Sequence, residues 1–239
     1  MNPIALVHPL ISKLAAVYRD ETFWVATRHA LHAFRLRCFP PQDHFDQIYH
    51  TRTTGRLQPW ELGNHADARF GKAYDPVWAG GFEEAMQQLS VTPQSTTFID
   101  LGSGKGRALI LASEYGFASI IGVEYSERLM ADARRNLEIT GTSATLICQS
   151  AADYVFPSEP LVVFLFNPFG PEILQSVLSH LYAHDAFVVY VTPLHAGAFT
   201  QFPRFTLVYD KPYLKIWRIQ PTDKETCKNG LLPVHIQML

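Results

Sequence analysis

"FIDLGSGKGRALILASEYG", residues 98–116, decides the fold. An apolar run ends at Asp100, glycines follow at 102, 104 and 106, and a helix-like apolar pattern then begins. Glycine adopts backbone conformations closed to other residues and leaves the main chain bare, so a ligand can approach closely. The stretch therefore predicts a strand over 97–101, a ligand-facing loop, and a helix over 107–115.

Outward from it, further strands are expected at 119–124, 144–149, 160–166, 186–192, 205–210 and 213–219. Helices are expected at 81–90, 107–115, 126–140 and 171–182, with a short one near 194–201. Strands alternating with helices imply a parallel sheet covered on both faces. The runs "LVVFLF" (161–166) and "AFVVYV" (186–191) suit its doubly buried centre, and the last two strands are close enough to form a hairpin. Upstream, residues 5–18 and 22–38 carry amphipathic helix patterns, the second stopped by Pro40 and Pro41. Residues 41–80 are irregular, with "TTGR" and "ELGN" turns and a Pro76 that biases Asp75 toward extended geometry. The expected organisation is a helical extension and substrate-side cap at 1–80, a ligand-binding domain at 81–220, and a tail of unknown role at 221–239.

Three ligands compete for the glycine loop. A phosphate loop needs Lys followed by Ser or Thr, with a Gly five residues before the Lys; Lys105 precedes Gly106 and has no such Gly. A dinucleotide fingerprint needs Gly-x-Gly-x-x-Gly or Ala, and Arg107 stands at the last position. S-adenosylmethionine carries an ammonium, which suits Asp100 at the strand end, and two ribose hydroxyls, which one carboxylate at the end of the second strand can accept. Glu124 stands there. It would serve an NAD ribose equally; Asp100 with the glycine spacing separates the two.

"DLGSGKGR" with "GVEYSERL" resembles the glycine-rich and acidic ribose motifs of class I S-adenosylmethionine-dependent methyltransferases. The resemblance covers roughly residues 74–219, and with "FLFNPFG" and the upstream "TTGR…YDP" it extends to a group of largely uncharacterised bacterial methyltransferase-domain proteins. It implies a Rossmann-like α/β fold: a mostly parallel seven-stranded sheet, helices on both faces and a helical N-terminal extension. It implies S-adenosyl-L-methionine as cofactor, with Asp100, Gly102, Ser103, Gly104 and Gly106 at the methionine end and Tyr74 of the Tyr-x-Pro element nearby. Glu124 would hold the ribose, Tyr125 would cover the adenine, and Ser150 and Ala151 would meet its edge. Many relatives have an acid at position 150, and Asp153 is the alternative here.

"FNPFG", residues 166–170, ends the fourth strand, where the transferred methyl should lie. It resembles the Asn-Pro-Pro-aromatic motif of amine-directed methyltransferases, with one Pro missing. The resemblance implies Asn167, Pro168 and Phe169 as catalytic residues: the Asn side-chain oxygen and the Pro carbonyl accept the amine hydrogens, and the ring stacks on the target. The alternative is a strand-to-helix turn with Pro171 at the first helical position. Metal-assisted oxygen methylation needs several acids near this loop, and "FLFNPFG" has none, so no metal is expected.

Other candidates are weaker. His180 and His184, with Asp185, and also His29 and His32, have zinc-like spacing but lack further ligands. His195 follows the fifth strand and is a candidate base. Arg134 and Arg135 read as a solvated face. The net charge of -2 and 18% charged residues make no electrostatic case for nucleic acid or an anionic membrane. No apolar run is long enough to span a bilayer, and no leader pattern opens the chain. Three scattered cysteines, Cys38, Cys148 and Cys227, fit a reducing compartment and a cytoplasmic protein. Apolar faces on the two N-terminal helices need a partner, either the cofactor edge or a second copy in a homodimer.

The favoured function is methyl transfer to an unidentified acceptor, protein or small molecule. A non-catalytic cofactor-binding protein and, behind it, an NAD(P)-dependent oxidoreductase are the alternatives.

Overall fold

The computed structural model describes residues 44–58, 61, 74–166 and 168–220. The two helices expected at 5–18 and 22–38, the "ELGN" turn, Asn167 and the tail 221–239 lie outside the described residues.

The described chain begins with a short helix, α1 (Phe45–Tyr49), and continues with α2 (Ala79–Gln87). The regular alternation follows: β1 (Thr97–Leu101), α3 (Arg107–Ser113), β2 (Ser119–Glu124), α4 (Glu127–Thr140), β3 (Thr145–Cys148), β4 (Leu161–Phe166), α5 (Pro171–Leu181), β5 (Ala186–Val191), β6 (Thr206–Lys211) and β7 (Leu214–Ile219). Each expected strand is present to within a residue at either end. The expected short helix near 194–201 is a 3-10 segment, Ala196–Gln201. A helical turn within the irregular stretch 41–80 was not foreseen: α1 has only five residues, too few to show a period.

The sheet order is β3-β2-β1-β4-β5-β7-β6. The first five strands are parallel. β7 runs antiparallel to both β5 and β6, as the hairpin expectation required. β1, β4 and β5 are buried along nearly their whole length, which is why their sequences run apolar instead of alternating. Helices α2 and α3 pack Phe82, Ala85, Leu109 and Leu111 on one face with Phe98 and Phe164. Helix α5 packs Ile173, Val177 and Leu181 on the other face with Ile99 and Val163. Ser126 caps α4 by accepting from the Leu129 N–H, and Gly141 ends it in the left-handed region at φ 65°. Pro171 opens α5, as expected.

Strand order reverses between β1 and β4, so the loops after these strands diverge to opposite faces and leave a crevice at their carboxyl ends. The glycine loop and Phe166, Pro168 and Phe169 flank that crevice. Among the described residues no helix is long and apolar enough to cross a membrane.

Candidate functional site

The glycine loop turns back immediately after β1. The Gly102 and Ser103 N–H groups donate to the Val123 carbonyl at 2.8 and 3.1 Å, tying the loop to the end of β2. Gly102, Gly104 and Gly106 all have positive φ, at 81°, 54° and 85°. At two of them space is lacking as well. A Cβ on Gly102 would lie 2.4 Å from Pro168 Cβ, and one on Gly104 would lie 2.3 Å from Tyr74 Cε2. The bare backbone thus admits two protein walls, Tyr74 on one side and the loop after β4 on the other. At Gly106 the space is ordinary, and the left-handed conformation that opens α3 is the constraint.

Two carboxylates sit behind the loop. Asp100 is buried at the end of β1, and burial, reinforced by the negative charge of Glu124, pushes its pKa up to about 8. Glu124 is also buried. Its Oε2 accepts from the Gly104 N–H at 3.0 Å and its Oε1 from the Ser126 N–H at 2.9 Å. Burial raises the Glu124 pKa, and these backbone donors oppose that rise. Each oxygen retains acceptor capacity, so a vicinal diol fits this carboxylate while the loop bonds persist.

The segment before the sheet is clamped onto α3 by contacts that the sequence did not foretell. Arg107 is 2% exposed. Its Nε donates to Thr53 Oγ1 at 2.7 Å and an Nη to the Val77 carbonyl at 3.1 Å. Its other Nη lies 3.9 Å from Asp46 Oδ1, and the guanidinium sits 4.5 Å above the Phe45 ring. Asp46 accepts from the hydroxyls of Thr51, Thr53 and Thr54 and from the N–H groups of Thr53 and Thr54. Burial alone would raise its pKa, but these bonds hold it well below the usual carboxylate range. The Tyr74 hydroxyl donates to the Thr53 carbonyl at 2.7 Å, and Lys105 Nζ donates to the Thr54 carbonyl at 2.9 Å. From α4, buried Asn136 donates to the Lys105 carbonyl and accepts from the Arg52 N–H, both at 3.0 Å. Only one sequence signal was available. An arginine heading the apolar run "ALILA" must either reach solvent or find buried partners.

One cavity collects most of the expected residues. Its walls include Tyr74, Asp100, Gly102, Ser103, Glu124 and Tyr125 from the first two strand ends, Ser150 and Ala151 after β3, and Pro168 and Phe169 after β4. Gly104 and Gly106 are not part of its wall. Asp75, Gln149 and Phe166 also line it, and sequence reasoning had not placed them there.

Several details differ from expectation. Ser150 Oγ accepts from the Ala152 N–H at 3.1 Å, capping the 3-10 turn Ala151–Asp153, while the residue also lines the cavity. Asp153 is exposed and off the cavity wall, and does not substitute for it. Phe169 is 8% exposed and packs in the core on the α5 side, presenting a wall and not a free stacking plate. His195 precedes the 3-10 segment Ala196–Gln201, away from the cavity lining. Among the described residues no group of His, Cys, Asp or Glu is arranged to hold a metal, His180 and His184 included.

Residues 98–184 match the family model described as "Methyltransferase domain". No curated protein matches the sequence. Among solved structures, the chain is similar to a predicted N6-adenine-specific DNA methylase from Listeria monocytogenes. The identity is 14% and the TM-score 0.52 over 62% of this chain and 52% of that one, so the chain spans about half that protein's length. It is also similar to a ribosomal protein L11 methylase from Lactobacillus delbrueckii subsp. bulgaricus, at 18% identity and TM-score 0.48 over 62% of this chain and 90% of that one. A putative methyltransferase from Streptococcus mutans, solved in complex with SAH, is 15% identical with TM-score 0.47, over 58% of this chain and 97% of that one. At 14% identity the likeness to the Listeria monocytogenes protein concerns the fold alone. The family model matched over residues 98–184 and the mostly parallel seven-stranded sheet support a class I S-adenosylmethionine-dependent methyltransferase.

Proposed function

We propose that the chain binds S-adenosylmethionine in the crevice between β1, β2 and β4 and transfers its methyl group to an amine nitrogen of a protein or small molecule. One observation carries the binding half. A buried carboxylate at each of two strand ends, a three-glycine loop with positive φ, and the loop after β4 converge on one cavity at the switch point of the sheet.

The residues divide the work by position. Asp100 and the loop from Gly102 to Gly106, with Tyr74 against it, form the methionine end. Glu124 accepts the ribose hydroxyls while holding the Gly104 N–H. Tyr125 and Ala151 bound the adenine. When bound, the cofactor supplies a methyl on a cationic sulfur, already a good leaving group, so the protein contributes mainly alignment and exclusion of water. Pro168, packed against Gly102, fixes the loop after β4 beside the methyl position. Asn167 is proposed as the acceptor that orients the nucleophile's lone pair.

The amine assignment rests on "FNPFG". The solved neighbours are named for targets as different as a ribosomal protein and DNA adenine, so the fold selects no acceptor. The deciding experiment is transfer of labelled methyl from S-adenosylmethionine in a cell extract, with products separated into protein, nucleic acid and small-molecule fractions. Label in protein or small amines supports the proposal; label confined to nucleic acid overturns its acceptor half. No label together with no cofactor-induced stabilisation overturns both halves.

A further inference from the structure

Three side chains around the glycine loop, from separate parts of the chain, end on one short segment before the sheet. Tyr74 donates to the Thr53 carbonyl at 2.7 Å, and Lys105, within the loop itself, donates to the Thr54 carbonyl at 2.9 Å. Arg107, at the head of α3, donates to Thr53 Oγ1 at 2.7 Å. The Lys105 ammonium also stands 5.1 Å from the centre of the Tyr74 ring. Residues 51–54 form neither helix nor strand, so no ladder of backbone bonds holds these two carbonyls in place.

A single carboxylate does. Asp46 Oδ1 accepts from the Thr51 hydroxyl at 2.8 Å and from the Thr53 N–H and hydroxyl at 2.8 and 2.6 Å. Its Oδ2 accepts from the Thr54 N–H and hydroxyl at 2.8 and 2.7 Å. Bonds to an ionised acceptor are stronger than neutral ones, and linked bonds hold one another in register. Thr53 is fully buried, and neither it nor Asp46 lines the cavity. The Tyr74 ring does line it, and it fits against Gly104 with no room for a Cβ between them. Packing this close passes a displacement of the ring on to the loop.

We propose that Asp46 is a positioning residue for the cofactor: it fixes the Thr53 and Thr54 carbonyls, these hold the Tyr74 ring and the Lys105 head group, and the two together set the loop at the methionine end. The inference rests on the methyltransferase reading. It makes affinity for the amino acid arm of the cofactor depend on a side chain outside the cavity.

S-adenosylhomocysteine and 5′-methylthioadenosine share adenine, ribose and sulfur, and only the first carries the amino acid arm. Dissociation constants for both are measured by calorimetric titration of the full chain, wild type and variants. Asp46→Asn keeps the shape of the side chain and turns an NH2 toward one set of donors. It should weaken S-adenosylhomocysteine about tenfold and change 5′-methylthioadenosine by less than about twofold. Tyr74→Phe removes the hydroxyl that donates to Thr53 and should weaken S-adenosylhomocysteine about fivefold. The double variant should bind about as Asp46→Asn does, since both changes act through one ring. If Asp46→Asn does not fold, Thr54→Val takes its place in the cycle; it removes one exposed hydroxyl donor and should cost about threefold in affinity. Equal weakening of both ligands overturns the inference, because general loosening of the fold does not distinguish them. So does an unchanged affinity in either single variant, or a double variant whose loss is the product of the two single losses. Binding of S-adenosylhomocysteine by the wild type alongside any of these results leaves the cofactor assignment standing, and its absence there removes the ground for both.

Discussion

The Tyr74 ring lies against Gly104, so closely that a Cβ there would come within 2.3 Å of Cε2. The same tyrosine is pinned through its hydroxyl to the Thr53 carbonyl. The glycine loop is therefore shaped from outside the sheet, by a segment that arrives before β1.

Gly104→Val should displace Tyr74 and strain a backbone held at φ 54°. Wild-type protein at a ligand concentration of about 100 times the dissociation constant gains about 2.7 kcal/mol. The variant should lose the S-adenosylhomocysteine-induced rise in melting temperature. NADH should stabilise neither protein. Thermal-shift measurements with both ligands check this, and a rise with NADH alone would contradict the proposed cofactor.

Glu124→Gln presents an amide NH2 to one of two backbone donors now held by the carboxylate, Gly104 N–H or Ser126 N–H. It also gives up charge-assisted bonds to the ribose. Cofactor affinity should fall about tenfold or more, equivalent to about 1.4 kcal/mol. Calorimetric titration of the folded variant measures it; an unchanged dissociation constant would place the ribose elsewhere.

Asp100 sets a pH dependence. Its pKa rises from an ordinary 3.8 to about 8 in the folded protein. Between these values the folded state holds a proton that the unfolded state has released, so the stabilisation present below about pH 4 is lost as the pH climbs toward 8. A cationic ligand favours the ionised form, so affinity for S-adenosylmethionine should rise over the same interval, with proton release on binding. Asp100→Asn should flatten both profiles. Unfolding and binding measured from pH 5 to 8.5 test this, and a wild-type affinity independent of pH would count against an ammonium beside Asp100.

Arg107→Met removes the cation beneath Thr53 and Val77 and leaves Asp46 to its hydroxyl and N–H donors. Breaking a buried charged network from one side typically costs about 3–5 kcal/mol. A large fall in melting temperature is expected, together with weaker cofactor binding because Tyr74 hangs from the same segment. Combining it with Asp46→Asn should cost less than the sum of the two, since both belong to one network. Additivity would show that they act separately.

Asn167→Ala tests the acceptor chemistry once a substrate is in hand. Turnover should drop more than about tenfold, with little change in S-adenosylmethionine affinity. Reduced stability with turnover near wild type would make the residue part of a turn only.

Much of this protein is legible in one dimension. Each strand and the order of helices between them follow from local signals: six-residue apolar runs, glycines at alternate positions and Pro171 at the first position of α5. Asp100, Gly102 and Glu124 are equally local, since each sits at a strand end that the sequence marks. Tertiary structure alone decided what meets them. Asp46, Thr53, Arg107 and Asn136 lie far apart in the chain, and no periodicity links a threonine at 53 with an arginine at 107. Ser150 lines the cavity, as expected of an adenine-side residue, and only the fold shows that its oxygen also caps the turn after it. The sequence marks Asp75 only as an extended residue before Pro76, and the fold brings it to the wall of the cavity. Backbone preferences and apolar spacing act over a few residues and are written along the sequence. Hydrogen-bond partners of buried polar groups are fixed by which surfaces the fold brings together, and those exist only once the chain has closed.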